Sequence, residues 1–186
     1  MKGVAIYCGS ADGARPAYAE AARAMGAEVA RRGLTLVYGG AMVGLMGHVA
    51  NAALEAGGRV VGVIPRHLVE REIAHPDLSE LVVVETMHQR KAAMSARSDG
   101  FVAMPGGFGT MDELFEALTW SQLRIHTGAT GVKPSALYDV EGYWEPLLRW
   151  VDHGTREGFV RAAHRELLIH ETEPGRLLDR LAALCG

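Results

Sequence analysis

The sequence predicts a doubly wound α/β fold: a mostly parallel sheet of about seven strands with helices on both faces. Three observations carry this reading. Short apolar runs alternate with longer helical patterns along the whole chain. The apolar runs are continuous, as strands covered on both faces require. Two glycine clusters, Gly39 to Gly47 and Gly106 to Gly109, each follow an apolar run and open a helical one.

Taken in order, Val4 to Tyr7 reads as the first strand. Pro16 to Arg32 is alanine-rich; Pro16 suits a first helical turn and Gly33 a stop. Leu34 to Tyr38 is the next strand, and Gly47 to Ala56 a helix closed by Gly57 and Gly58. Arg59 to Ile64 is a third strand, stopped by Pro65, and Arg66 to Glu80 is polar and irregular. Leu81 to Glu85 (strand), Met87 to Ser98 (helix), Phe101 to Met104 (strand) and Thr110 to Ile125 (helix) follow. His126 to Pro134 is a loop, Ser135 to Tyr138 a strand and Trp144 to His153 a helix. Leu167 to His170 is a weaker strand, and Pro174 to Leu184 closes the chain as a helix.

A length of 186 residues suits one Rossmann-like domain over residues 1–186. The apolar share of 48% against 22% charged excludes extensive disorder. A net charge of -3 and a pI near 6.2 argue against nucleic acid as the main partner. No apolar run approaches the ~18 residues of a membrane helix, and the first residues do not read as a signal peptide. Cys8 and Cys185 make no disulfide framework, so a reducing cytoplasm is the expected setting. The eight histidines show no metal-ligand spacing; His75, His88 and His126 are expected to make polar contacts or face solvent.

A strand-to-helix glycine turn brings unpaired N–H groups and a partial positive charge to one place, which suits a phosphate. Neither cluster is a dinucleotide fingerprint, and without Gly-Lys-Ser/Thr there is no P-loop. Tight turns in a glycine-rich chain are the plainer account. Thr110-Met111-Asp112-Glu113 matches a capping box, so Glu113 has both a helix-capping and a catalytic reading. Thr86 to Gln89 is a second capping box. After it, Arg90 and Lys91 put two cations in a first helical turn, where the helix dipole disfavours them. Either an anion or acidic partner sits there, or both are solvated.

Met87-His88-Gln89-Arg90-Lys91, followed by Pro105-Gly106-Gly107-Phe108-Gly109-Thr110-Met111-Asp112-Glu113, resembles the LOG (Lonely Guy) family. The likeness extends to Tyr7 to Ser10, the first glycine turn, Gly62 to Pro65, Ser98-Asp99, and Thr119-Trp120 with Gln122. The resemblance implies hydrolysis of the N-glycosidic bond of a purine nucleoside 5′-monophosphate. The products would be ribose 5-phosphate and a free base, adenine or an N6-substituted adenine. It implies Arg90 and Glu113 as the catalytic pair. It implies substrate contacts at Glu72, Lys91, Gly106, Gly107, Gly109, Thr110, Asp112 and Thr119. It implies no cofactor and no metal, and a homodimer whose contact involves the helices bearing Trp120 and Trp144. Glu113→Gln and Arg90→Ala are each expected to abolish base release while the chain stays folded. Two departures stand out: Ala41 takes the place of a third glycine, and the stretch from His126 to Pro134 is longer than the family's link.

Two other readings compete. A non-catalytic nucleotide sensor of the same fold has no need of both Arg90 and Glu113. A pyridoxal-phosphate decarboxylase needs a Schiff-base lysine, and the chain has only Lys2, Lys91 and Lys133.

Overall fold

The computed structural model describes residues 1–69, 74–126 and 131–185. The strands are β1 (Gly3–Tyr7), β2 (Thr35–Tyr38), β3 (Val60–Pro65), β4 (Glu80–Val84), β5 (Gly100–Ala103), β6 (Ser135–Tyr138) and β7 (Leu168–Glu171). The helices are α1 (Pro16–Arg31), α2 (Gly44–Glu55), α3 (Arg66–Val69), α4 (Met87–Ala96), α5 (Phe108–Leu123), α6 (Glu145–Arg156), α7 (Ala162–Arg165) and α8 (Pro174–Leu184). The sheet is parallel throughout, in the order β4-β3-β2-β1-β5-β6-β7.

Burial along β1 shows why the fold is doubly wound. Val4, Ile6 and Cys8 join the apolar cluster that holds Met25 and Val29 of α1, Leu45 and Val49 of α2, and Leu177 and Leu181 of α8. Ala5 and Tyr7, pointing the other way, join Met94 of α4, Phe101 and Ala117 of α5. A strand covered on both faces leaves no polar position, hence the unbroken apolar run.

The predicted elements differ from the observed ones mainly at the glycine turns. Helix α2 begins at Gly44 rather than Gly47, and α5 at Phe108 rather than Thr110. In both, the last glycine of the cluster belongs to the first helical turn and not to the loop. The single turns α3 and α7 carry no readable period; α3 lies inside the stretch expected to be irregular.

The histidines divide between the two expected roles, solvent and polar contact. His88 is exposed, but His75 and His126 are buried. His126 lies against Phe101 and Trp120, with centroids 5.3 and 5.7 Å away. Its Nε2 lies 3.1 Å from the Ala117 carbonyl and 3.0 Å from the Ser121 hydroxyl. A carbonyl only accepts, so Nε2 carries the proton and Nδ1 accepts from the Ser95 hydroxyl at 3.0 Å. Lys133 completes this anchor, donating to the Ser95 and Ser98 carbonyls at 2.7 and 2.8 Å. The expected long link is thus pinned at both ends; residues 127–130 lie outside the described residues.

Burial lowers the proton affinity of both His126 and His75 below the ordinary 6.5. The unfolded chain therefore binds more protons than the folded one below that pH. Stability is full above about pH 6.5 and falls as pH drops through the lower folded values, by at most ~1.4 kcal/mol per unit and group. Denaturant titrations from pH 7.5 to 5 should show this slope, and His126→Gln should reduce it.

Candidate active site

The strand order reverses between β1 and β5, so the two connections leaving their carboxyl ends part and open a crevice. The backbone ties the rims together. Met104 N–H donates to the Tyr7 carbonyl at 2.9 Å, and Gly9 N–H to the Pro105 carbonyl at 3.0 Å. A cavity of about 310 Å³ lies here, lined by residues 9–13, Tyr18, Leu45, residues 105–107 and Tyr143. The Tyr143 hydroxyl donates to the Gly106 carbonyl at 2.5 Å, and its ring meets Tyr18 edge-on. Tyr143 was missed by sequence reasoning because nothing local connects it to a turn 37 residues earlier.

The two glycine clusters, alike in sequence, do different work. In the first, a Cβ on Gly39 would lie 2.1 Å from Nη2 of Arg90, and one on Gly44 2.3 Å from the Ser10 backbone. Gly44 also has φ +56°, which side chains disfavour. These glycines admit protein neighbours, not a ligand. Ala41 fits this: its side chain is fully buried in the core and its backbone pairs with Ala74. In the second cluster, nothing lies within 4 Å of a Cβ placed on Gly107 or Gly109. Of the two clusters, the second is the one that leaves space beside its glycines.

Helix α5 starts there. Gly107 is its N-cap, in extended backbone with no side-chain cap, and the first intrahelical bond is Met111 N–H to the Gly107 carbonyl at 3.1 Å. The N–H groups of Phe108, Gly109 and Thr110 precede it and have no acceptor within the helix. The capping-box reading of Thr110 to Glu113 is thereby corrected. Thr110 is the third residue of the helix, 3% exposed, with its hydroxyl packed beneath Gly106. Glu113 stands in the second turn, where no capping role exists. The other capping box is present as expected: Gln89 N–H donates to the Thr86 hydroxyl at 3.1 Å, and Thr86 N–H to the Gln89 side chain at 3.2 Å.

Arg90 on α4 and Glu113 on α5 both lie near enough to the end of β1 for their charges to act on Cys8. Cys8, at the end of β1, is held protonated first by burial and then by the negative charge of Glu113, with Arg90 opposing. Arg90 is only 6% exposed. Its Nε donates to the Val63 carbonyl at 3.1 Å and its Nη2 to the Gly39 carbonyl at 3.0 Å. It is a strut between the ends of β3 and β2. Arg90→Ala should therefore weaken the fold as well as the chemistry.

Lys91 answers the puzzle of cations in a first turn. Its ammonium donates to both oxygens of Asp112, at 3.0 and 3.2 Å, and to Oε2 of Glu116. Burial opposes its charge, but the two carboxylates outweigh that and raise its proton affinity. The acidic partner is internal, on α5. Sequence reasoning missed Glu116, although its i+3 spacing from Glu113 puts both on one helix face.

Thr119 is not brought to the glycine turn. It lies about 14 Å further along α5 than Thr110, in a separate groove with Phe115, Gln122 and Trp150. Glu72 lies outside the described residues. Among the described residues no cluster of His, Cys, Asp or Glu could hold a metal ion.

Fold and site together define a doubly wound α/β protein whose switch point carries an open helix N-terminus backed by a buried arginine and a glutamate. A family profile described as "Possible lysine decarboxylase" matches residues 46–181. A cytokinin riboside 5′-monophosphate phosphoribohydrolase of Arabidopsis thaliana is 42% identical over 183 residues, 98% of this chain and 78% of its own length. A probable enzyme of the same name from Oryza sativa subsp. japonica is 44% identical, covering 96% of this chain and 78% of its own length. The chain belongs to this family, the Lonely Guy phosphoribohydrolases that its motifs resemble. Among solved structures, the molybdenum cofactor binding protein of Rippkaea orientalis superposes with a TM-score of 0.72 at 20% identity, covering 100% of this chain and 99% of its own. The molybdenum cofactor carrier protein of Chlamydomonas reinhardtii matches with the same TM-score and identity, covering 98% of each chain. At that identity the likeness concerns the fold.

Proposed function

We propose that this chain hydrolyses the N-glycosidic bond of a purine nucleoside 5′-monophosphate, AMP or an N6-substituted relative, releasing the base and ribose 5-phosphate. What supports this is the glycine turn before α5, open at Gly107 and Gly109, on the helix that carries Glu113, with the charges of Glu113 and Arg90 both felt at Cys8. The substrate's phosphate sits on the N–H groups of Phe108, Gly109 and Thr110, where the dipole of the 16-residue α5 favours an anion. Gly107 and Gly109 keep the approach clear. Glu113 follows Thr110 by one helical turn, about 5 Å along the axis. A ribose anchored by its phosphate then presents its anomeric carbon to that carboxylate. Cleavage passes through an oxocarbenium-like state, which Glu113 stabilises; the base departs with the bonding electron pair, Glu113 takes a proton from the attacking water, and that proton ends on the departing base. Arg90, fixed by two carbonyls, cannot follow the substrate; it supplies a stationary positive charge that orients the carboxylate. Water is the only co-reactant, so no cofactor is required.

The decarboxylase wording of the family profile finds no support in the lysines. Lys91 is held by two carboxylates and Lys133 by two carbonyls, so neither presents a free amine. Lys2 lines a pocket with Gly3, Thr35 and Arg59, at the opposite ends of the strands. The test is incubation with a panel of nucleosides and their mono-, di- and triphosphates, scored for released base. Release confined to purine monophosphates is the expected result. Release from none would replace this reading with the sensor.

The same reading covers the whole chain as one hydrolase domain, working as a homodimer in the cytoplasm. Both cysteines are free, and no helix among the described residues is long and apolar enough to cross a membrane. Neither nucleic acid nor membrane is invoked. On the helix expected at the dimer contact, Trp144 itself is 2% exposed, within the core cluster of Leu114 and Leu137. Trp150 of α6 is 58% exposed, against Phe115 of α5 at 5.8 Å. It shares its groove with Thr119, so on this reading that residue belongs to the subunit contact. Trp150→Glu should convert a dimer into a monomer in light scattering, with little change in melting temperature.

A further inference from the structure

Lys91 is oversupplied with carboxylates. Asp112 alone engages it with both oxygens, yet Glu116 binds it too. The Glu116 side chain is 17% exposed against 58% for Asp112, and its Oε1 is buried with no hydrogen-bond partner among the described residues. A buried, unpaired carboxylate oxygen is costly, and a second tether for an already tethered lysine does not justify it. Glu116 also lines a small cavity of about 10 Å³ with Tyr7, Lys91, Ser95, Trp120, His126 and, notably, Glu113. One positive and two negative charges leave this cluster with one net negative charge, beside the carboxylate assigned to catalysis.

We propose that Glu116 is a positioning residue: with Asp112 it clamps Lys91 against α5, and the net negative cluster so formed sets the protonation of Glu113. This rests on the phosphoribohydrolase reading for its catalytic meaning, though not for its physics. Like charge favours the protonated carboxyl, and a compensating cation restrains that effect. Tyr7 registers the same field: after burial, the charges of Glu113 and Glu116 raise its proton affinity. The charged or titratable groups facing Glu113 among the described residues are Tyr7 and Cys8 from β1, Arg90 and Lys91 from α4, Asp112 and Glu116 from its own helix, and His126.

The signs follow from the charge count. Glu116→Gln neutralises the cluster, so Glu113 should ionise at a pH lower by about half to one unit. Lys91→Met doubles its negative charge and should move the ionisation up by a similar amount. Asp112→Asn should act in the direction of Glu116→Gln but less, because an exposed charge is screened. The double variant Lys91→Met/Glu116→Gln keeps one negative charge and should return close to the wild type.

Two readouts test this. Carbon-13 NMR titration of the Glu113 carboxyl, assigned by its loss in Glu113→Gln, reports the ionisation with or without turnover. The acidic limb of kcat against pH, using one substrate throughout, reports its catalytic consequence. A clamp with only a structural role would lower stability or kcat and leave both midpoints in place. Equal midpoints in the wild type, Glu116→Gln and Asp112→Asn overturn the proposal even if Lys91→Met fails to fold. Absence of base release in the wild type, with the midpoints displaced as stated, overturns the phosphoribohydrolase reading instead and leaves the clamp's electrostatics standing.

Discussion

Glu113→Gln should reduce kcat for base release by about 10²- to 10⁴-fold, the usual effect of losing a general acid–base group, while the melting temperature stays within about 2 °C of the wild type. The second half of that expectation comes from the structure. Had Glu113 closed a capping box, a stability change could have been confused with a chemical one, although glutamine also fills such a box. Helix α5 starts two residues earlier than the motif suggests, at Phe108, so Thr110 is not its N-cap and Glu113 closes no box with it. The substitution removes one negative charge at nearly constant shape, and the loss it causes is then chemical. Steady-state kinetics with AMP and a thermal melt suffice. Turnover within a few-fold of the wild type would remove Glu113 from the mechanism.

Arg90→Ala should do two things at once. Turnover should fall below detection, and the fold should weaken by about 2–4 kcal/mol, or roughly 10 °C in melting temperature for a chain of this size. The guanidinium donates to the carbonyls of Val63 and Gly39, at the ends of two adjacent strands. Truncation strips both acceptors of a charged donor and opens a void against Gly39, the residue whose missing Cβ makes room for Nη2. Arg90→Lys should recover little, because a single ammonium cannot span two carbonyls as a planar guanidinium does. Urea denaturation separates the effects. An unchanged midpoint in Arg90→Ala would show that the strut carries no load.

Much of this was legible in the residues alone. Apolar runs marked all seven strands to within a residue or two; the inner ones read as continuous because a strand buried on both faces disfavours polar positions, while the edge strands β4 and β7 are partly exposed. The motifs at residues 87–91 and 105–113 indicated the family before any geometry was known, and the Thr86 box formed as read. Short single turns such as α3 and α7 left no period to read.

Pattern and spacing thus sufficed for the sheet, the family and the two carboxyl-end turns, since each depends on residues close together in the chain. Packing in space had to choose between turns that look alike. It filled the first with Arg90 and Ser10 and left Gly107 and Gly109 open. It also chose partners: Asp112 and Glu116 for Lys91 across 21 and 25 residues, and the core for Trp144 rather than the surface. Local sequence carries no record of which distant atom will fill a gap or neutralise a charge; that is decided only when the helices close onto the sheet.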